Sequence, residues 1–257
     1  MGFLSDLVAE LRTELAEQPP DDSALRAAAA SAPTVRSFEA ALRDPGVAVI
    51  AEVKRASPSA GAIAQTDPGE RAAAYEHGGA AAISVLTEPK HFGGSLEDLR
   101  IARRTTSLPL LRKDFLIAPA QLSEARAAGA DAVLLITASV SDDELSSLLQ
   151  EAKDLELSAL VEAHADEDLE RSLAAGATIV GINARDLETL EVDEERALRL
   201  LGRVPSDRVR VFESGIASRA QVERAVGAGA DAVLVGEHLM RAPDPAAAIA
   251  ELRGSAS

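Results

Sequence analysis

From residue 47 onward the chain alternates short apolar runs with amphipathic stretches of helical period. The runs are VAVIAE from 47, AAISVL from 81, PLLRKD from 109, DAVLLI from 131, SALVE from 158, ATIVGIN from 177, RVRVFES from 208 and DAVLVG from 231. Each has the length of one strand and is too short for a free-standing helix. Continuous apolar strands separated by helices specify a parallel sheet covered by those helices. The punctuation agrees: Asp67-Pro68 opens one helix, and Ser141 through Glu144 form a capping box. An internal echo fixes the count. HGGAAAISVL, AAGADAVLLI, AAGATIVGIN and GAGADAVLVG place equivalent glycines at 79, 129, 176 and 229, and each interval covers two strand-helix units. Eight units predict an α/β fold, a closed (β/α)8 TIM barrel. An open doubly wound sheet uses the same alternation, but no GxGxxG turn follows the first run.

The first 45 residues follow another pattern. FLSDLVAELRTEL repeats Phe3, Leu4, Leu7, Val8, Leu11 and Leu15 at helical spacing, ending at Pro19-Pro20, and a second helical stretch is expected around 34–43 before Pro45-Gly46. The predicted organisation is an N-terminal helical extension over 1–45 and a barrel over 46–257. An apolar-faced helix beside a polar site suits a cover over the barrel mouth that excludes water.

Composition narrows the function. A net charge of −16 disfavours nucleic acid and anionic membrane as partners, and no basic patch offsets it. The absence of Cys removes disulfides and thiolate metal ligands. The apolar runs fall short of the ~20 residues of a membrane helix, and Asp6 and Glu10 stand where a basic signal would be. The expectation is a soluble, unprocessed, cytoplasmic protein. His77, His91, His164 and His238 show no metal-ligand spacing, so no metal is assigned.

In a barrel of this kind, polar residues at the C-terminal strand ends have a functional prior. Here those ends carry Glu52 and Lys54, Lys113 and Asp114, Glu162, Asn183 and Arg185, and Glu213 and Ser214. Residues two apart on a strand share a face, so these groups can converge. Only four lysines occur, and two of them, Lys54 and Lys113, stand at strand ends. Arg holds its proton at any ordinary pH, whereas an ammonium among carboxylates can be tuned to give and take one. Three small-residue loops, Ser57–Gly61, Glu213–Ile216 and Val235–Glu237, present backbone N–H groups in register and suit a phosphate. Phe92 and Phe115 lie just beyond the second and third strands, as core caps or as walls of a ring-binding pocket.

Taken together, AEVKRASPSAG at 51–61, HFGGSLEDL at 91–99, LRKDF at 111–115, LVEAH at 160–164, GINARDL at 181–187, ESGI at 213–216 and LVGEHLM at 234–240 resemble the indole-3-glycerol phosphate synthase family over nearly the whole chain. The resemblance implies a lyase of tryptophan biosynthesis that converts 1-(2-carboxyphenylamino)-1-deoxyribulose 5-phosphate into indole-3-glycerol phosphate, with loss of carbon dioxide and water and without a cofactor. It makes Lys113 the general acid for ring closure and Glu162 the acid/base of dehydration, with Glu52 and Lys54 as neighbours. Lys54 and Arg185 would meet the aromatic carboxylate, Asn183 and Glu213 the sugar portion, and Phe92, Phe115 and Leu187 the rest of the substrate. Ser57, Ser214, Gly215, Gly236 and Glu237 fall at the phosphate positions. Some members carry Asn at 184 and Ser at 237, where this chain has Ala184 and Glu237. Two other activities fit a barrel lysine beside a phosphate site: a Schiff-base aldolase, and a binder of phosphorylated ligands without turnover.

Overall fold

A computed structural model of the chain describes residues 2–43, 46–58, 61–63 and 66–254. Pro45, at the expected junction, and Ser59 and Ala60, in the first small-residue loop, lie outside the described residues. The eight apolar runs each form one strand: β1 Ala48–Val53, β2 Ala82–Leu86, β3 Leu110–Lys113, β4 Ala132–Ile136, β5 Ser158–Ala163, β6 Ile179–Asn183, β7 Val209–Glu213 and β8 Ala232–Val235. All pair in parallel with their neighbours, and β1 closes on β8 with Ala48 opposite Ala232 and Ile50 opposite Leu234.

Side-chain alternation sorts every strand into two files. The outward file, such as Val49, Ala51 and Val53 of β1, packs against the surrounding helices. The inward file fills the barrel: Ala48 and Ile50, Leu111, Leu134, Leu160, Ile179, Val209 and Val211, and Leu234 belong to one buried cluster. Large and small side chains alternate around it, which fills a closed eight-stranded interior without leaving a pore. The helices begin where the sequence signals them. Asp67 caps α4 (Pro68–His77), and Ser141 and Glu144 exchange bonds at the start of α7 (Asp142–Asp154). The repeated glycines 79, 129, 176 and 229 take left-handed φ values of 84–106° as the chain leaves a helix for the next strand.

The N-terminal segment departs from expectation. It holds three helices, α1 Phe3–Glu17, α2 Asp22–Ala30 and α3 Phe38–Leu42, so the expected stretch at 34–43 shrinks to five residues and a helix at 22–30 was missed. DSALRAAAA has Leu25 as its one large apolar residue, but alanine has the highest helix propensity and Asp21 caps the start through Ala24 N–H at 3.0 Å. α1 runs along the loops at the mouth end, where Leu4 N–H donates to Leu187 O at 3.1 Å, Arg12 pairs with Glu144 at 2.8 Å and Lys90 bonds Glu10 and Glu14. The segment's other end lies at the opposite pole. Phe38 and Leu42 join the inward cluster, and Arg36 is held to Asp131 and Leu108, which precede β4 and β3. Between them, α2 packs on α6 (Pro119–Ala127). Among the described residues, no helix is long and apolar enough to cross a membrane.

Candidate active site

Five of the eight inward files end in polar residues as they reach the mouth. Ala48 and Ile50 lead to Glu52 and then Lys54, Leu111 to Lys113, Leu160 to Glu162, Ile179 and Gly181 to Asn183, and Val211 to Glu213. A period of two therefore aims all of these side chains into one space. That space is a cavity of about 1320 Å³, lined by Glu52, Lys54, Lys113, Glu162, Asn183 and Glu213 at its base. Arg185, Phe92, Phe115 and Leu187 form one side of it, and Ser57, Ser214, Gly215, Gly236 and Glu237 another.

The charges are close-packed and mostly out of water. Lys113 Nζ stands 3.6 Å from Glu213 Oε2 and 3.8 Å from Glu162 Oε2, while Lys54 Nζ meets Glu52 Oε1 at 2.8 Å. Glu52, Glu162 and Glu213 are buried, at 1–2% exposure. Burial alone would strip the proton from Lys113, but Glu162, Glu213 and Glu52 outweigh it and hold the ammonium above its ordinary value. Glu213 is pushed up to about 8 by burial and by the facing Glu162 carboxylate, against the pull of Lys113. Burial also works against the charge on Glu52, but Lys54 and Lys113 hold its carboxyl below the usual range. Three acids against two ammoniums leave one negative charge too many, and a proton on Glu213 removes it. Glu162 Oε2 and both oxygens of Glu213 have no hydrogen-bond partner among the described residues, so acceptors point into the cavity.

Two glycines make room for this cluster. A Cβ at Gly181 would fall 2.1 Å from Glu213 Oε1, and one at Gly236 would fall 2.3 Å from Glu52 Oε1. Beyond β7 the chain turns through Ser214 and Gly215, both left-handed at φ 70° and 79°. For Ser214 that conformation costs about 1–2 kcal/mol. Its hydroxyl donates to Asn183 Oδ1 at 2.7 Å, an acceptor that also takes Arg185 N–H at 2.9 Å. Ser214, Gly215 and Gly236, the residue after β8, all line the cavity. Glu237 turns its carboxylate to Arg241, at 3.0 Å.

On the other side, Phe92 and Phe115 lie 6.1 Å apart between centroids, and Phe3 of α1 packs edge-on to Phe115 at 6.3 Å. They form an aromatic wall of the cavity, which Arg185 also lines, its guanidinium held to Leu190 O at 2.8 Å. Phe3 carried no sequence signal beyond its place in an amphipathic helix. Ser84, in register with Glu52 and fully buried, was also passed over, although a hydroxyl within AAISVL was a visible break in an apolar run.

Comparison with known proteins points the same way. A family model described as indole-3-glycerol phosphate synthase matches residues 4–252. The chain is 49% identical over 255 residues to the indole-3-glycerol phosphate synthase of Rhodococcus jostii (strain RHA1), covering 98% of this chain and 95% of that protein. It is 50% identical over 252 residues to the protein of the same name from Mycobacteroides abscessus, covering 97% and 93%. Among solved structures, a mutant tryptophan synthase alpha-subunit from Pyrococcus furiosus superposes with a TM-score of 0.63 at 16% identity, over 81% of this chain and 98% of that one, a likeness of fold alone.

Proposed function

The chain belongs to the indole-3-glycerol phosphate synthase family, and from that premise we propose how its residues divide the reaction. The enzyme is a decarboxylating lyase of tryptophan biosynthesis that closes the indole ring of 1-(2-carboxyphenylamino)-1-deoxyribulose 5-phosphate. The ring carbon bearing the carboxylate attacks the ketone carbon, and the ketone oxygen takes a proton from Lys113. An alkoxide is far more basic than an amine, so this transfer runs downhill even from an ammonium held above its ordinary value. Carbon dioxide then leaves and restores the aromatic ring. Departure of the new hydroxyl as water, with a proton taken from the carbon beside the nitrogen, completes the pyrrole. Glu162 serves that step as acid and base, with Glu52 and Lys54 beside it.

Lys54 and Arg185 receive the aromatic carboxylate, and Phe92, Phe115 and Leu187 enclose the ring. Asn183 and Glu213 meet the sugar hydroxyls. Ser57, Ser214, Gly215 and Gly236 take the phosphate, and Glu237 contributes there through its backbone, its carboxylate being engaged by Arg241. The observation that carries this reading is the half-buried Lys113 ammonium within 4 Å of two buried carboxylates at the floor of a cavity with an aromatic wall. The reaction needs no cofactor or metal in this scheme, the working partner is a phosphorylated small molecule, and the setting is the cytoplasm. The test is indole fluorescence developing when the purified chain meets the anilino-deoxyribulose phosphate without added metal or nucleotide. Failure to turn over, or a borohydride-trapped adduct on Lys113, would favour a binder or a Schiff-base aldolase instead.

A further inference from the structure

Behind the wall that carries Asn183 and Arg185, outside the cavity, lies a half-buried polar cluster with no part in the chemistry above. Arg196, on α9 (Glu194–Leu201), reaches under the ends of β5 and β6. One guanidinium nitrogen donates to His164 Nε2 and to His164 O. The other donates to Asn183 O and Ala184 O, each at 3.1 Å. His164 shares a hydrogen with Asn183 O through Nδ1 at 3.1 Å, and its Nε2 stands 3.2 Å from Asp186 Oδ2. Asp186 in turn gathers the loop: its Oδ1 accepts Glu188 N–H at 2.7 Å and Thr189 N–H at 3.1 Å.

We propose that Arg196 is a positioning residue, whose guanidinium joins the ends of β5 and β6 and, through Asn183 O and Ala184 O, sets the start of the 184–191 loop that aims Arg185 at the substrate carboxylate. The chemistry favours this over simple helix anchoring. A planar guanidinium can serve several acceptors in a fixed fork, and here every acceptor belongs to the two strand ends or to the residue after them. The donation to Nε2 requires a lone pair on that nitrogen, which places the imidazole hydrogen on Nδ1, directed at Asn183 O. The carbonyl side of Asn183 is thereby fixed while its side chain orients Arg185 from the cavity side, through Arg185 N–H. Removing the fork strips His164 O and the ring nitrogen of this donor and leaves Asn183 O and Ala184 O with one donor each, His164 Nδ1–H and Asp193 N–H, and the loop is the element free to shift.

The inference rests on the assignment of Arg185 to the substrate, so the test measures both. Kinetic constants are compared for the unaltered enzyme, Arg196→Met, Arg185→Met and the double variant, with thermal unfolding of each. A misplacement of about 1 Å costs roughly 100-fold in rate. The expected result is a 10- to 100-fold loss of kcat/KM in Arg196→Met, mostly through KM, and less than a twofold further loss when it is added to Arg185→Met. Arg196→Lys, which keeps the charge but not the fork, should fall between. Losses that multiply in the double variant would overturn the inference, because they mean Arg196 acts independently of Arg185. So would an unfolded Arg196→Met and Arg196→Lys together, since the side chain would then hold the fold rather than the loop. If Arg185→Met alone leaves KM unchanged, the assignment of Arg185 fails first and the inference falls with it.

Discussion

Replacing Lys113 with Gln tests the charge arithmetic at the floor of the barrel. In the native cluster, three buried acids face two ammoniums, and one proton on Glu213 brings the sum to zero. Lys113 is the central cation, 3.6 Å from Glu213 and 3.8 Å from Glu162. Without it a single ammonium remains, and neutrality requires two protons on the acids rather than one. A carboxyl whose folded value is raised contributes stability that is fully present below about 4.5 and is lost as pH rises through the folded value. The variant should therefore lose stability more steeply than the unaltered protein over roughly pH 5–8, by up to about 1.4 kcal/mol per pH unit for the extra proton. Activity should fall by ~10²–10⁴ in kcat, or about 3–5 kcal/mol of transition-state stabilisation, because the proton donor is gone. Lys113→Arg separates the two roles. It keeps the cation and should keep the native stability profile, but it does not release a proton and should be as slow as the Gln variant. Urea unfolding at several pH values gives the first quantity and single-turnover indole fluorescence the second. Turnover of either variant within tenfold of native, or parallel stability profiles for Lys113→Gln and the native chain, would refute the reasoning.

Other outcomes follow from neighbouring features. Gly236→Ala puts a methyl group 2.3 Å from Glu52 Oε1 and must shift that carboxylate by about 1 Å, so kcat/KM should drop roughly 100-fold with little change in unfolding; a native rate would show that Glu52 is not constrained. Glu213, raised to about 8, should make the native enzyme less stable as pH climbs from about 5 through 8, and Glu213→Gln should flatten that slope in thermal melts. Phe38→Ala empties a fully buried site at the pole away from the mouth and should cost about 3–5 kcal/mol in denaturant unfolding while leaving kcat at moderate temperature intact.

The barrel was legible because its signals are local and repeated. Eight apolar runs, helix caps and the recurring glycines each report on a few residues, and every run became a strand. The strand-end residues were visible for the same reason: a period of two continues past the last apolar residue, so Glu52, Lys113, Glu162 and Glu213 inherit the direction of the files below them. What could not be read was the balance among them. That Glu213 holds a proton while Glu52 does not depends on burial and the facing Glu162 at the one and on Lys54 and Lys113 at the other, a matter of register across four strands. The N-terminal segment was read poorly because its partners are distant. Alanine-rich α2 has little pattern of its own, and the seat of α3 at the far pole is specified by Asp131, Leu108 and the first residues of the strands.

The two seats of that segment have a consequence for how the chain assembles. Phe3 and Leu4 bond to Glu188 and Leu187, while Arg43 reaches Asp207, so the earliest-made residues are held by some of the latest. During synthesis the first 43 residues leave the ribosome with Leu4, Leu7, Phe38 and Leu42 uncovered, and their docking places do not exist until most strands have joined. Chaperones that shield sticky nascent segments would find their longest-lived target at the start of this polypeptide rather than in its barrel.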